Sequence, residues 1–215
     1  MMKMKKGFTL AEVLITLAII GVVAAMTLPS LMINTGEQQA MTAYKKIINT
    51  LSESGQLNAA VLGFDYSTIT GAGDYSDDYT KDGKQTLGAI IHEQMNVTPG
   101  LGAVSLGNQS KCAVLIDSTA ICLGSYAAVA GTDAKSIVVD TNGTKGPNML
   151  ASCGEDGCTT KASRKLYDQY YVTLYRGTAY PGKWTALDTN GTTGQDYAAL
   201  YAAGVDKKKT ATTGN

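Results

Sequence analysis

Apolar residues fill positions 8–28 almost without a break, from Phe8-Thr9-Leu10-Ala11 to Met26-Thr27-Leu28, and Glu12 is the only charge among them. These 21 residues, at about 1.5 Å each, span roughly 30 Å, the hydrocarbon thickness of a bilayer. Lys3, Lys5 and Lys6 precede the run, and by the positive-inside bias they stay cytoplasmic while the rest of the chain points outward. Past Pro29 the pattern turns amphipathic. Met41, Tyr44, Ile47, Ile48, Leu51 and Gly55 recur at three-four spacing, and Glu37, Lys45, Lys46, Asn49 and Glu53 fill the other faces. This predicts a helix with one core-facing stripe. Read alone, Pro29 interrupts a helix because it removes one backbone bond and crowds the preceding turn. Two helices split at Pro29-Ser30 are therefore the alternative to one long helix from Thr9 to Ala60.

The period changes again downstream. Residues 63–83 are rich in Gly, Asp and Tyr and read as a loop with little regular structure. Residues 85–95, "QTLGAIIHEQM", read as a short helix. "KCAVLI" (111–116) and "AICLG" (120–124) flank Asp117-Ser118-Thr119 as a hairpin, and "KSIVVD" (135–140) ends at a strong Asn142-Gly143 turn signal. "QYYVTLYR" (169–176) is a further strand, closed by Gly177. The expected fold is α+β: an antiparallel meander of about three or four strands packed across the second half of the helix.

Composition narrows the function classes. The 24 glycines suit a turn-rich β domain. Formal net charge is zero, and loss of the three leader lysines would leave the chain slightly acidic. No basic block is long enough for a clear nucleic-acid footprint. Lys207-Lys208-Lys209 sits in a polar tail whose default reading is solvation, with a DNA contact the sharper alternative. His92 is the only histidine. No nucleophile or metal-ligand set accompanies it by spacing, so it reads as a packing or surface residue and not as a catalyst. No serine-histidine-acid set or phosphate loop stands out, which argues against a secreted enzyme.

The four cysteines, Cys112, Cys122, Cys153 and Cys158, lie on the outward side of the apolar run. An even number there points to disulfides in an oxidising compartment, with three connectivities open. A Cys₄ zinc site is disfavoured, because nine residues separate the first pair and four the second, whereas structural zinc sites favour closer pairs. Asp140, Asn142 and Asp168 could offer oxygens to calcium, which takes 6–8 oxygen ligands. However, Asp140-Thr141-Asn142-Gly143 lacks the later glutamate of an EF-hand, and a plain β-turn also explains it. A second Asp-Thr-Asn-Gly at 188–191 has different flanks and reads as reuse of a good turn.

Glu12 is awkward for a bilayer anchor, since charged residues inside a membrane are costly and therefore functional suspects. A secretory signal peptide fits poorly: such an apolar core is typically about 7–15 residues long and is followed by a small-x-small cut site. Lys5-Lys6-Gly7-Phe8-Thr9-Leu10-Ala11-Glu12-Val13-Leu14 instead resembles the class III signal of type IV pilins and type II secretion pseudopilins. The resemblance covers the first 30 or so residues closely. It implies that a prepilin peptidase cuts after Gly7, that Phe8 becomes the N-methylated first residue, and that Glu12 acts in assembly. Pro29 falls where that family often has a helix-kinking proline, with the helix continuing beyond it.

The resemblance implies more. "VVDTNGTKGPN" (138–148) followed by an Asp-led aromatic strand is similar, less closely, to a pattern in bacterial pilin-like proteins. Such families commonly staple the C-terminal region, which favours Cys153–Cys158 with Cys112–Cys122 beside it. Some pseudopilins hold calcium near their last strands, so calcium is an expectation for Asp140, Asn142 and Asp168, though no cofactor is required. The implied partners are other copies of the chain, the peptidase, the inner membrane and ATPase-driven assembly machinery.

The organisation this implies is a leader at 1–7, a membrane and filament-core helix at 8–28, an amphipathic continuation at 29–62, a β-rich extracytoplasmic domain at 63–205 and a polar tail at 206–215. The alternative, from another class, is a monomeric membrane-anchored extracytoplasmic binding protein, which would remain uncut at Gly7–Phe8.

Overall fold

The computed structural model describes residues 7–153, 158, 164–184 and 197–204, with the backbone only at 29–34 and 197. The leader lysines, the Asp-Thr-Asn-Gly at 188–191 and the 206–215 tail lie outside the described residues. Helix α1 runs from Leu10 to Leu62. Its backbone is helical through position 29, so the single long helix holds and the split at Pro29-Ser30 does not. One missing N–H is a small loss against the many backbone bonds of a 53-residue helix.

Two compact units divide the chain at Gln39 and Ala40, a boundary that falls inside the 29–62 segment. In the first unit, Leu10–Leu28 is a 19-residue apolar stretch of mean hydropathy 2.3 with none of it buried. The second unit holds the core. Tyr44, Ile47 and Leu51 are fully buried, as the three-four stripe requires, and Met41 and Ile48 flank them. They pack with Leu87, Ile90 and Ile91 of α3 (Leu87–Gln94) and with a sheet face carrying Ile121, Leu123, Ile137, Val139, Val172 and Leu174. Tyr44 anchors this packing twice. Its ring lies 4.7 Å from that of Tyr170, and its hydroxyl donates to Tyr171 O at 2.6 Å while accepting from Gly182 N. At Gly55 a Cβ would run into the Tyr66 ring and stand 2.7 Å from Gly177 O. Glycine there lets the 176–177 turn lie against the helix.

The sheet has six strands where about three or four were expected. β1 (Val104–Leu106), β2 (Gln109–Val114), β3 (Ala120–Ala128), β4 (Lys135–Asp140), β7 (Gln169–Tyr175) and β8 (Thr178–Pro181) lie in that order, all neighbours antiparallel. β1 and β8 have three and four residues, too few to show alternation. The short pair β5 (Ser152–Cys153) and β6 (Arg164–Lys165) is inserted between β4 and β7. Within 63–83, expected as loop, α2 (Tyr79–Asp82) makes one helical turn. α4 (Tyr197–Ala203) is also new, burying Ala198, Ala199 and Ala202. Its alanine-rich sequence carries too little hydrophobic contrast to stand out by period.

Alternation along β2 and β3 explains the first disulfide. Ala113 and Ile121 face the helix side, whereas Cys112, Val114, Ala120 and Cys122 form a smaller cluster on the opposite face with Leu106. Cys112 and Cys122 are direct cross-strand partners and are bonded. Cys153 is bonded to Cys158. The β2–β3 turn is moored to α1 by Lys46, whose Nζ lies 2.6 Å from Asp117.

Candidate functional site at the start of the first helix

Gly7 has no described atom within 4 Å of the place a Cβ would occupy, and its φ is not in the left-handed region. Neither crowding nor backbone conformation therefore demands glycine at this position, so its small size is available to a partner. Phe8 beside it is 90 % exposed.

Thr9 is the last residue before α1, which begins at Leu10. Thr9 and Glu12 form a reciprocal cap: Thr9 Oγ1 accepts from Glu12 N at 3.3 Å, and Glu12 Oε2 accepts from Thr9 N at 2.8 Å and from Thr9 Oγ1 at 2.9 Å. Two otherwise orphaned N–H groups are satisfied, and the carboxylate sits at the positive end of the helix dipole. The awkward charge thus has a role within a single chain. This cap was legible as Thr-x-x-Glu at 9–12, yet periodicity and hydropathy pass over it. Phe8, Glu12, Val13 and Thr16 share one shallow surface concavity. Beyond it Leu14, Ile15, Leu17, Ile19, Ile20, Val22 and Val23 are all more than half exposed. Apolar surface this continuous belongs in lipid or against other helices.

The calcium candidates come together, but as a hydrogen-bonded lock. Asp140 Oδ1 accepts from Asn142 N (3.0 Å) and Gly143 N (2.7 Å), and its Oδ2 accepts from Gln169 Nε2 (3.1 Å). With its amide oriented to suit its neighbours, Asn148 Nδ2 also donates to Asp140 Oδ2 at 3.2 Å. Asp168 accepts from Asn148 N at 2.8 Å and from Met149 N at 2.9 Å, one on each oxygen. Every carboxylate oxygen of the pair therefore faces N–H groups, which repel a cation. Asn142 Oδ1 is the one buried oxygen of the three residues without a partner. Burial, opposed by these hydrogen bonds and helped by the nearby Asp168 charge, pushes the Asp140 carboxyl up to about 6. Asn148 and Gln169 were missed as lock residues because their contacts cross between strands.

Comparison with curated proteins and with solved structures returns no match. A family model does match: the prokaryotic N-terminal methylation motif, over residues 2–28. That span contains Gly7, Phe8, the Thr9–Glu12 cap and the exposed apolar half of α1, and it stops short of the Ala40–Asn215 unit. The chain thus carries at its N-terminus the class III prepilin signal of type IV pilins and pseudopilins, a mark of peptidase processing and assembly into pilus-like filaments.

Proposed function

We propose that the chain is a structural, non-catalytic subunit of a type IV pilus or type II secretion pseudopilus. It is inserted in the inner membrane with residues 40–215 outside the cytoplasm, cut after Gly7, methylated on Phe8 and assembled through the helix at 8–28. The observation that carries this reading is the long exposed apolar surface from Phe8 to Leu28, with Glu12 its one charged group. As a monomer the chain keeps that surface in lipid. In a filament the same surface packs against other copies, with Ala11, Ala18, Gly21, Ala24 and Ala25 permitting close helix approach. The free energy for extraction comes from partner ATPase machinery.

Glu12 links the two states. Oε2 takes both bonds from Thr9, which leaves Oε1 to face the Phe8 amine that cleavage creates on a neighbouring copy. An ion pair shielded from water is far stronger than one in solvent, so it would set axial register. Glu12→Ala should leave membrane insertion intact and reduce sheared-filament yield at least tenfold. Wild-type filament yield from that variant overturns the assembly role. Intact-mass measurement of the wild-type chain should give the Phe8-started, singly methylated species with both disulfides formed. An uncut, monomeric chain would favour the anchored binding protein instead.

Calcium is dispensable in this reading, because the 140–148 loop is closed by its own N–H donors. A ligand at 100 times its Kd adds about 2.7 kcal/mol of stability. Millimolar Ca2+ should leave the Tm of the full chain unchanged, and a rise of that size would restore calcium to the loop.

A further inference from the structure

A second polar cluster lies in the chain segment that joins α1 to the sheet, and it takes no part in the N-terminal cap or the Asp140–Asp168 lock. Asp78 caps α2, accepting from Lys81 N at 3.2 Å and from Thr80 Oγ1 at 2.5 Å, and it is 7 % exposed. The last turn of α3 carries His92 and Glu93, both half-buried. Sequence spacing offers His92 no ligand set, but the fold brings Asp78 to it. One donor atom from each of Asp78, His92 and Glu93 lies within 4.8 Å of the other two.

His92 Nδ1 is shielded from solvent and has no hydrogen-bond partner among the described residues. Glu93 Oε1 stands 3.9 Å from it. The ring is held by Tyr75, centroid to centroid 5.5 Å, so packing sets its direction. A shielded nitrogen without a partner is costly until some ligand takes up its hydrogen-bonding capacity. A Glu93 oxygen lies within 4.8 Å of one of Asp78, near enough for one ion to bridge the two side chains after small rotations. The ammonium groups present are partly committed elsewhere. Lys84 spans Asp77 (2.7 Å) and Asp82 (3.2 Å), and Lys81 holds Asp78 from a side chain that is 79 % exposed. Lys81 can therefore withdraw into water at little cost. A water molecule at Nδ1 would satisfy the imidazole alone, whereas a dication answers all three groups.

We propose that Asp78, His92 and Glu93, brought together where α2 meets the end of α3, form a binding site for a zinc-class divalent cation. One imidazole nitrogen with two carboxylate oxygens suits Zn2+, while calcium and magnesium favour all-oxygen shells. Donors around one tetrahedral Zn2+, at bonds of about 2.0–2.2 Å, stand roughly 3.3–3.6 Å apart. Binding therefore draws Asp78 and Glu93 inward by side-chain rotation as Lys81 leaves. The bound ion would cross-link the Gly- and Asp-rich segment after α1 to α3, whose other face is in the core.

The test uses the full chain in detergent, chelator-stripped, with both disulfides intact so that no thiol competes. Titration calorimetry with ZnCl2 should show one equivalent bound and a raised Tm, and CaCl2 should show neither. His92→Ala and Glu93→Gln should each weaken Zn2+ binding at least tenfold with an unchanged far-UV spectrum. Lys81→Ala, at an exposed position, should tighten it by removing the competing ammonium, an effect that a merely structural role for the cluster would not produce. Absence of stoichiometric Zn2+ binding, binding that His92→Ala leaves unchanged, or tighter binding of Ca2+ than Zn2+ would each overturn the site. None of these outcomes bears on filament assembly, so this proposal and the proposed function stand or fall separately.

Discussion

The two halves of α1 are equally helical, yet they use their apolar residues in opposite ways. Between Phe8 and Leu28 nearly every large apolar side chain is exposed, and no single stripe dominates. Between Ala40 and Leu62 one stripe, Tyr44, Ile47 and Leu51, is buried to the last few per cent, while Leu57 and Val61 remain exposed. The first half is apolar all round, as a helix surrounded by lipid or by other helices must be. The second half is apolar on one side, as a helix lying on a sheet must be. Apolar content alone therefore says little about what a helix packs against; the angular distribution of that content carries the information.

The sharpest way to break this contrast is to truncate one side chain in each half. Tyr44→Ala removes a buried ring and the two bonds of its hydroxyl, although Gly182 N still donates to Tyr171 O at 3.0 Å. Chemical denaturation should show a loss of about 3–5 kcal/mol. Leu14→Ala, at a 59 % exposed position, should change the stability of the Ala40–Asn215 unit by less than about 0.5 kcal/mol while lowering filament yield. If the two variants lost equal stability, the halves would not be energetically distinct.

A smaller effect depends on pH and arises in the second unit, at Asp140 and Asp117. The Asp140 carboxyl titrates near 6 in the folded chain, raised chiefly by burial, against about 4 when unfolded. Its protonated form is favoured by folding, so its contribution is fully present below about pH 4 and is lost as pH rises through about 6. The loss amounts to about 3 kcal/mol at most. Asp117 behaves in the opposite sense: burial raises it, but Lys46 and Thr119 outweigh burial and hold it below its usual value, so its share is lost on acidification below about pH 4. Urea midpoints measured between pH 4 and 6.5 should therefore fall as pH rises, and Asp140→Asn should flatten that slope. A slope unchanged in the variant would assign the dependence to another group.

Much of this architecture was legible in the chain, and the reasons are local. Residue period and hydropathy located α1 to within two residues at either end, because helical repeat and membrane length are properties of contiguous sequence. β2, β3, β4 and β7 were found for the same reason, each being long enough to alternate. β1, β8 and α4 were missed because short or alanine-rich segments acquire their structure from neighbours. At the N-terminus Gly7, Phe8 and Glu12 stood out by motif, while the Thr9 side of the cap was overlooked, since hydropathy treats Thr9 only as a weakly polar residue within the run.

What the sequence alone determined is the long helix, its lipid-length first half, the processing motif and the α+β class, all of which depend on residues close together in the chain. What only the tertiary structure decided depends on groups that meet across the fold. Asp140 and Asp168 carry acidic oxygens in any reading, but whether those oxygens face a cation or N–H donors depends on where Asn148 and Gln169 arrive. His92 is a lone histidine along the chain, and Asp78 reaches it only because α2 is folded back on the end of α3. A donor set is a matter of distances of a few ångströms between segments, and no local pattern of residues specifies those distances.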